Sequence, residues 1–470
     1  MIRIISIILV FFSVTGYLFS QEIELTVYNQ NFALVKEKRS LEIEKGIKKL
    51  DFSDVPVLIE PESVRFKSLT APDGCRVLEQ NFEYDLISRE KLLEKYLGRE
   101  IEFEKHINDK REIIKGTLLS ISGGLILKVD DKILLNPEGE AILSKLPEGL
   151  IIKPTLSWLL ENEKPGKHNI EIDYLTNGIN WNADYVVVTD KEDKKIDLTG
   201  WVTINNRSGA VYNDAKLKLI AGDVNRISPS NYGAADGLME SKRFAMKAPA
   251  AQFQEKSFFE YHMYTLSRRT TIKDKETKQI EFVKGNEVAV NKIFTYDGSR
   301  IPFYGYQQWY RTNRDIYGES SKKVSVMLEF KNSKDNNIGM ALPKGKIKVY
   351  KQDTDGGLEF VGEDEIDHTP KDEKIRIFLG NAFDITAEKT QTDFKTGNDW
   401  CEETFKITIR NHKDEQVAVN VVEHLYRWSN WKITQKSADF EKADSKTIEF
   451  KTIIPKNGES NITYTVKYWW

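Results

Sequence analysis

The chain has 470 residues, which is roughly two to four domains of ordinary size and enough for sizeable cores. Its 69 Lys and Arg against 72 Asp and Glu leave a net charge of −3, so the strongly basic balance of a nucleic-acid binder is missing. The 11% aromatic content and alternating Thr, Val and Ile runs fit a secreted all-β class better than a cytosolic α/β enzyme.

Residues 1–20 carry one charge, Arg3, and an apolar core from Ile4 to Val14, shorter than the ~20 residues that span a bilayer. This is the layout of a secretory signal peptide, with the mature chain starting near Gln21; an uncleaved anchor is the alternative, because Leu18 is bulky for the −3 position. From Glu22 the pattern alternates, Ile23, Leu25 and Val27 against Glu24 and Thr26, and residues 21–84 read as one sheet-forming region. At Asp85 the pattern changes. Ser88 is a good N-cap, Glu90 suits the first turn, Leu92, Leu93 and Tyr96 share a face, and Gly98 is a stop, which predicts a helix over 89–97. Short strands follow, and residues 85–146 read as an inserted SH3-like or Sm-like barrel. Sm-type barrels bind RNA, but this segment carries many acids and has no aromatic stacking platform, so a structural spacer is the better reading.

Residues 154–160 look like a re-entry segment, and residues 168–224 carry four strand-like runs. Ile170, Ile172 and Tyr174 alternate with acids, as do Trp181, Ala183, Tyr185 and Val187 with their neighbours. Between these two runs, Asn177-Gly178 is a type I′ hairpin signal, so an antiparallel meander is expected. The order Gly178-Ile179-Asn180-Trp181, Gly200-Trp201-Val202, Asn205-Asn206, Ala221-Gly222-Asp223-Val224, with Tyr261-His262-Met263-Tyr264 and Asp367-His368-Thr369-Pro370 beyond, resembles the DUF4139 family, a domain of unknown function found with mucoidy-inhibitor-like proteins. The resemblance runs from about Thr26 to the C-terminus, and it brings no catalytic residues with it. Residues 147–387 read as a central β-sandwich interrupted by a disordered loop over 226–256, where periodicity vanishes. Residues 388–470 read as an immunoglobulin-like sandwich closed by Ile462, Tyr464, Val466, Tyr468 and Trp470. The fold class is therefore mostly β: tandem antiparallel β-sandwiches with an inserted small SH3/Sm-like barrel and one short helix.

Motifs for chemistry are sparse. There is no H-E-x-x-H, C-x-x-C, G-x-S-x-G or phosphate loop, and the six histidines stand apart, so no catalytic residue, metal or cofactor is assigned. Asp353, Asp355 and Gly356 imitate the start of a calcium loop without its closing Glu, and a hairpin turn is the better reading. Cys75 and Cys401 read as free thiols rather than a disulfide framework. The recognition candidates are Tyr304, Tyr306, Trp309 and Tyr310, aromatics interleaved with Gln and Gly, together with His262 in an aromatic strand. The expected role is a secreted or periplasmic, non-enzymatic binding or scaffolding protein of the bacterial cell envelope, with an envelope protein or glycan as partner and no nucleic acid. The alternatives are an envelope hydrolase acting on glycan through clustered carboxylates or His262, and an outer-membrane-associated protein, since the final alternation also imitates an outer-membrane targeting strand.

Overall fold

The computed structural model describes residues 22–107, 110–145, 147, 151–222, 224–226, 252–299, 308–314 and 320–470. Strand dominates them, as the composition led one to expect, and Arg89–Lys95 is the single α-helix among them. The Ser88 hydroxyl accepts from the Lys91 N–H at 3.2 Å, and Gly98 ends the segment at a φ of +74°, a region that L-residues avoid. Among the described residues no helix is long and apolar enough to cross a membrane.

The chain divides into two compact units. In the first, comprising Met1–Trp181, Ile204–Ile220 and Thr265–Thr277, five strands lie in the order Tyr212–Ala221, Glu22–Tyr28, Phe32–Ile43, Gly166–Asn177 and Arg65–Ser68. Period-two alternation buries Ile23, Leu25, Val27, Ala33, Val35, Ile170, Ile172 and Tyr174. Burying a Val, Leu or Ile of this kind contributes about 1.5–3 kcal/mol, which is what holds the register. A three-stranded sheet places Thr155–Asn162 between Gly46–Ser53 and Cys75–Glu83, so the predicted re-entry segment is its central strand. Buried Trp158 packs its ring 5.4 Å from Phe52 and 5.3 Å from Phe66, joining side chains of the two sheets.

Where a barrel was expected, the five strands Glu140–Ile142, Glu100–Ile107, Lys110–Ser120, Ile126–Val129 and Lys132–Leu135 form an open sheet in that order. No ladder joins its two outer strands among the described residues. The physical reason is that the helix covers the apolar face: Leu93 and Tyr96 pack with Ile101, Phe103, Leu118 and Leu127, so closure is not needed to bury it.

The meander expectation fails at Asn177-Gly178. A type I′ turn needs positive φ at both central residues, and only Gly178 has it, at +78°. The corner is held instead by the Asn177 N–H donating to the Leu58 carbonyl at 2.9 Å and the Arg207 N–H to the Gly178 carbonyl at 2.6 Å. Gly166–Asn177 stays with Phe32–Ile43, whereas Ile179–Thr189 enters another sheet beside Lys195–Asn206 and, in parallel, Gly345–Gln352. The fourth run, Tyr212–Ala221, pairs in parallel with Glu22–Tyr28.

The second unit comprises Asn182–Thr203, Ala221–Tyr264 and Lys278–Trp470. Its C-terminal strands are adjacent in the order Lys323–Lys331, Lys374–Thr396, Trp400–Asn411, Gly458–Trp469 and Asn430–Lys436. Val417–His424 pairs with Glu276–Asp297 in parallel and with Thr447–Ile454 in antiparallel fashion. Ile462, Tyr464, Val466 and Tyr468 are buried in a core with Phe405, Ile407, Val419 and Phe450, and Trp470 packs against it partly buried. Of the predicted loop over 226–256, residues 227–251 lie outside the described residues, and the strand Phe253–Phe258 already begins within its last part.

Candidate functional site

Alternation in the second unit carries charge inward. On Trp400–Asn411 the buried row reads Cys401, Glu403, Phe405, Ile407 and Ile409; on Val417–His424 it ends in Glu423; on Lys374–Thr396 it runs through Ile385 and Ala387 to Lys389. A buried charge is stable only when paired and hydrogen-bonded. Lys389 Nζ binds Glu423 Oε2, to which the Tyr464 hydroxyl also donates. Arg427 Nη2 donates to Glu403 Oε1 at 2.6 Å, and neither side chain is exposed. Gln391 Nε2 at 2.8 Å and the Tyr426 hydroxyl at 3.3 Å donate to the same oxygen. Burial opposes the charge on Arg427, yet the hydrogen bond and charge of Glu403 hold its pKa above the usual arginine value.

The other arm of Arg427 reaches the predicted aromatic segment. Its Nη1 donates to the carbonyls of Tyr310 at 2.5 Å and Asn313 at 2.9 Å, clamping residues 310–313 by their backbone. At the start of that segment Tyr310 is buried, whereas Trp309, the residue just before it, is 54% exposed with its ring centroid 4.5 Å from that of Tyr310. Next to them the Arg311 guanidinium lies 3.8 Å over the Trp428 ring and 5.4 Å from that of Trp470. The result is an exposed indole adjoining a backbone segment held by a buried cation, with a second cation, Arg311, stacked on indoles. Such a surface can stack on a ring or an apolar face and needs little ordering on binding.

Of the residues predicted for recognition, Trp309 and Tyr310 thus share this segment, and Tyr304 and Tyr306 lie outside the described residues. His262 stands apart from the Arg427 network; its Nδ1 pairs with Glu255 Oε1 at 2.8 Å, while Glu255 Oε2 accepts the Ala341 N–H at 3.1 Å. Asp353 to Gly357 form a turn, in which the Asp353 N–H donates to the Gly357 carbonyl at 2.8 Å. Cys75 and Cys401 are free and buried. The sequence reading missed Glu403 and Arg427. For Glu403 a signal existed, because a charged residue interrupts an otherwise apolar inward row; for Arg427, beyond the end of its strand, there was none.

Fold and site define a mostly β protein with ion pairs set inside its sheets. The chain belongs to the DUF4139 family, a domain of unknown function whose pattern matches residues 170–470 and so includes Trp309, Glu403 and Arg427. No curated protein matches the chain.

Proposed function

We propose that the protein is a non-enzymatic binding or scaffolding protein of the bacterial cell envelope, secreted or periplasmic after removal of residues 1–20, and that the Trp309 face is its contact surface. The observation that carries the reading is the clamp: a fully buried Arg427, paired with Glu403, holds the backbone at Tyr310 and Asn313, directly after an exposed Trp309. Exposed indoles on rigid supports are the usual anchors of recognition surfaces. An envelope protein or glycan offers the apolar or ring surface such an anchor fits.

Co-sedimentation of the full chain with isolated cell envelopes tests this. Trp309→Ala is expected to lower binding about tenfold or more, equivalent to about 1.4 kcal/mol, with the fold intact because the side chain is exposed. Equal binding of the variant and the native chain overturns the assignment of the face. Release of soluble glycan fragments from the envelopes supports the hydrolase alternative instead, and retention in outer membranes after carbonate and urea washing supports the outer-membrane one.

A further inference from the structure

The first unit carries a cavity of its own. Phe32–Ile43 turns Ala33 and Val35 inward and continues on that side with Glu37 and Arg39. Above them opens a cavity of about 530 Å³, within the range of small-ligand sites. Its floor is built: Glu37, 3% exposed, accepts from the Tyr174 hydroxyl at 2.6 Å and from Arg39 Nε at 2.9 Å and Nη2 at 2.6 Å. Tyr212, also on the floor, shares a hydrogen bond of 2.9 Å with Ser208 Oγ. We propose that this cavity binds an extended, uncharged peptide segment bearing aliphatic side chains.

Charge comes first. The lining holds two carboxylates, Glu37 and Asp54, and two cations, Arg39 and Lys153. They are paired with one another at 2.6 Å in both cases. A charged ligand would bring an uncompensated charge beside a buried ion pair, so phosphates and nucleotides are disfavoured. Hydrogen bonding comes second. Arg39 has five N–H donors, of which Nε and Nη2 serve Glu37 and Nη1 serves the Ser53 carbonyl at 3.3 Å. Among the described residues two of its N–H groups are left to donate, and the amide oxygen of Asn213, an exposed residue of the lining, can accept, while Tyr174 and Tyr212 bond within the floor. Burial, with the Glu37 charge adding to it, raises the pKa of both phenols, so they stay protonated. A lining that both donates and accepts suits an amide.

Shape comes third. The lining also carries Val57, Val211 and Ile152, exposed at 40%, 47% and 78%, which supply aliphatic surface for aliphatic side chains. A saccharide fits less well, since it would want an open aromatic face, whereas Tyr174 and Tyr212 are each 1% exposed.

The test titrates the full chain, with labelled methyl groups, against acetyl-Val-Ser-Val-amide, acetyl-Val-Glu-Val-amide and chitotriose, following the methyl signals of Val57, Val211 and Ile152. The first peptide is expected to shift them saturably, the Glu peptide to bind about tenfold more weakly or worse, and chitotriose to leave them unmoved. Ile152→Asp, at an exposed position, is expected to weaken the first peptide about tenfold. The proposal is overturned by no saturable shift with the first peptide, by equal binding of the Glu peptide or the saccharide, or by binding that Ile152→Asp leaves unchanged.

Discussion

Arg427→Met tests the buried clamp directly. The substitution keeps most of the side-chain length but removes the guanidinium from a pair in which both partners have no exposure. Glu403 would keep Gln391 and Tyr426 as donors while its charge lost the Arg427 cation bonded to it. Breaking one partner of such a pair costs about 3–5 kcal/mol, most of it the penalty of an uncompensated buried charge. The lost bonds to Tyr310 and Asn313 belong to the same network, so their cost overlaps with this figure rather than adding to it. Urea unfolding followed by tryptophan fluorescence reads the loss, and limited proteolysis at residues 308–314 reads the freed segment. Adding Glu403→Gln removes the stranded charge, and the double variant should be more stable than the sum of the single losses by about 0.5–3 kcal/mol. A loss below about 1 kcal/mol for Arg427→Met, or strict additivity, would show that the pair does not hold the segment.

Three further outcomes are expected. His424 Nε2 lies 3.0 Å from Asp297 Oδ2, and the Asp297 hydrogen bond raises the pKa of His424, so its stabilisation is complete below the ordinary value of 6.5 and is lost as pH rises through the raised one. Burial raises the Asp297 pKa, but the His424 and Ser299 hydrogen bonds outweigh it and hold the net value below 3.8; its share is present above 3.8 and lost as pH falls through the lowered value. The thermal midpoint of His424→Gln should therefore fall furthest behind the native one between those limits, and a gap that does not vary with pH would sink the pairing. Gly345→Ala places a Cβ 2.1 Å from the Ala183 carbonyl oxygen in the parallel ladder, so urea unfolding should show a loss of about 1–3 kcal/mol, and an unchanged midpoint would contradict the register. Burial raises the pKa of both thiols, that of Cys401 to about 12, so a thiol reagent should label Cys75 and Cys401 only after denaturation, and rapid native labelling would place one at the surface.

The sequence by itself determined the local elements. The helix at Arg89–Lys95 was legible because its cap at Ser88, its apolar face and its stop at Gly98 are interactions among residues a turn or two apart. The alternation of Ile462, Tyr464, Val466 and Tyr468 marked a half-buried strand for the same reason, and the exposed Trp309 stood in the stretch named for recognition. The tertiary structure decided which strands are neighbours. Asn177-Gly178 is consistent with a hairpin when read alone, but one positive φ turns a corner, and whole buried faces on either side set the pairing. The inward charges obey the same division. Glu37 and Arg39 follow Ala33 and Val35 in plain alternation, yet the Tyr174 that completes their floor is 137 residues from Glu37 in the chain. Arg427 likewise meets the segment it clamps across 114 and 117 positions. Parity is a property of one strand and can be read from it. The partner of a buried charge is set by packing between strands distant in sequence, and for that only the assembled sheets suffice.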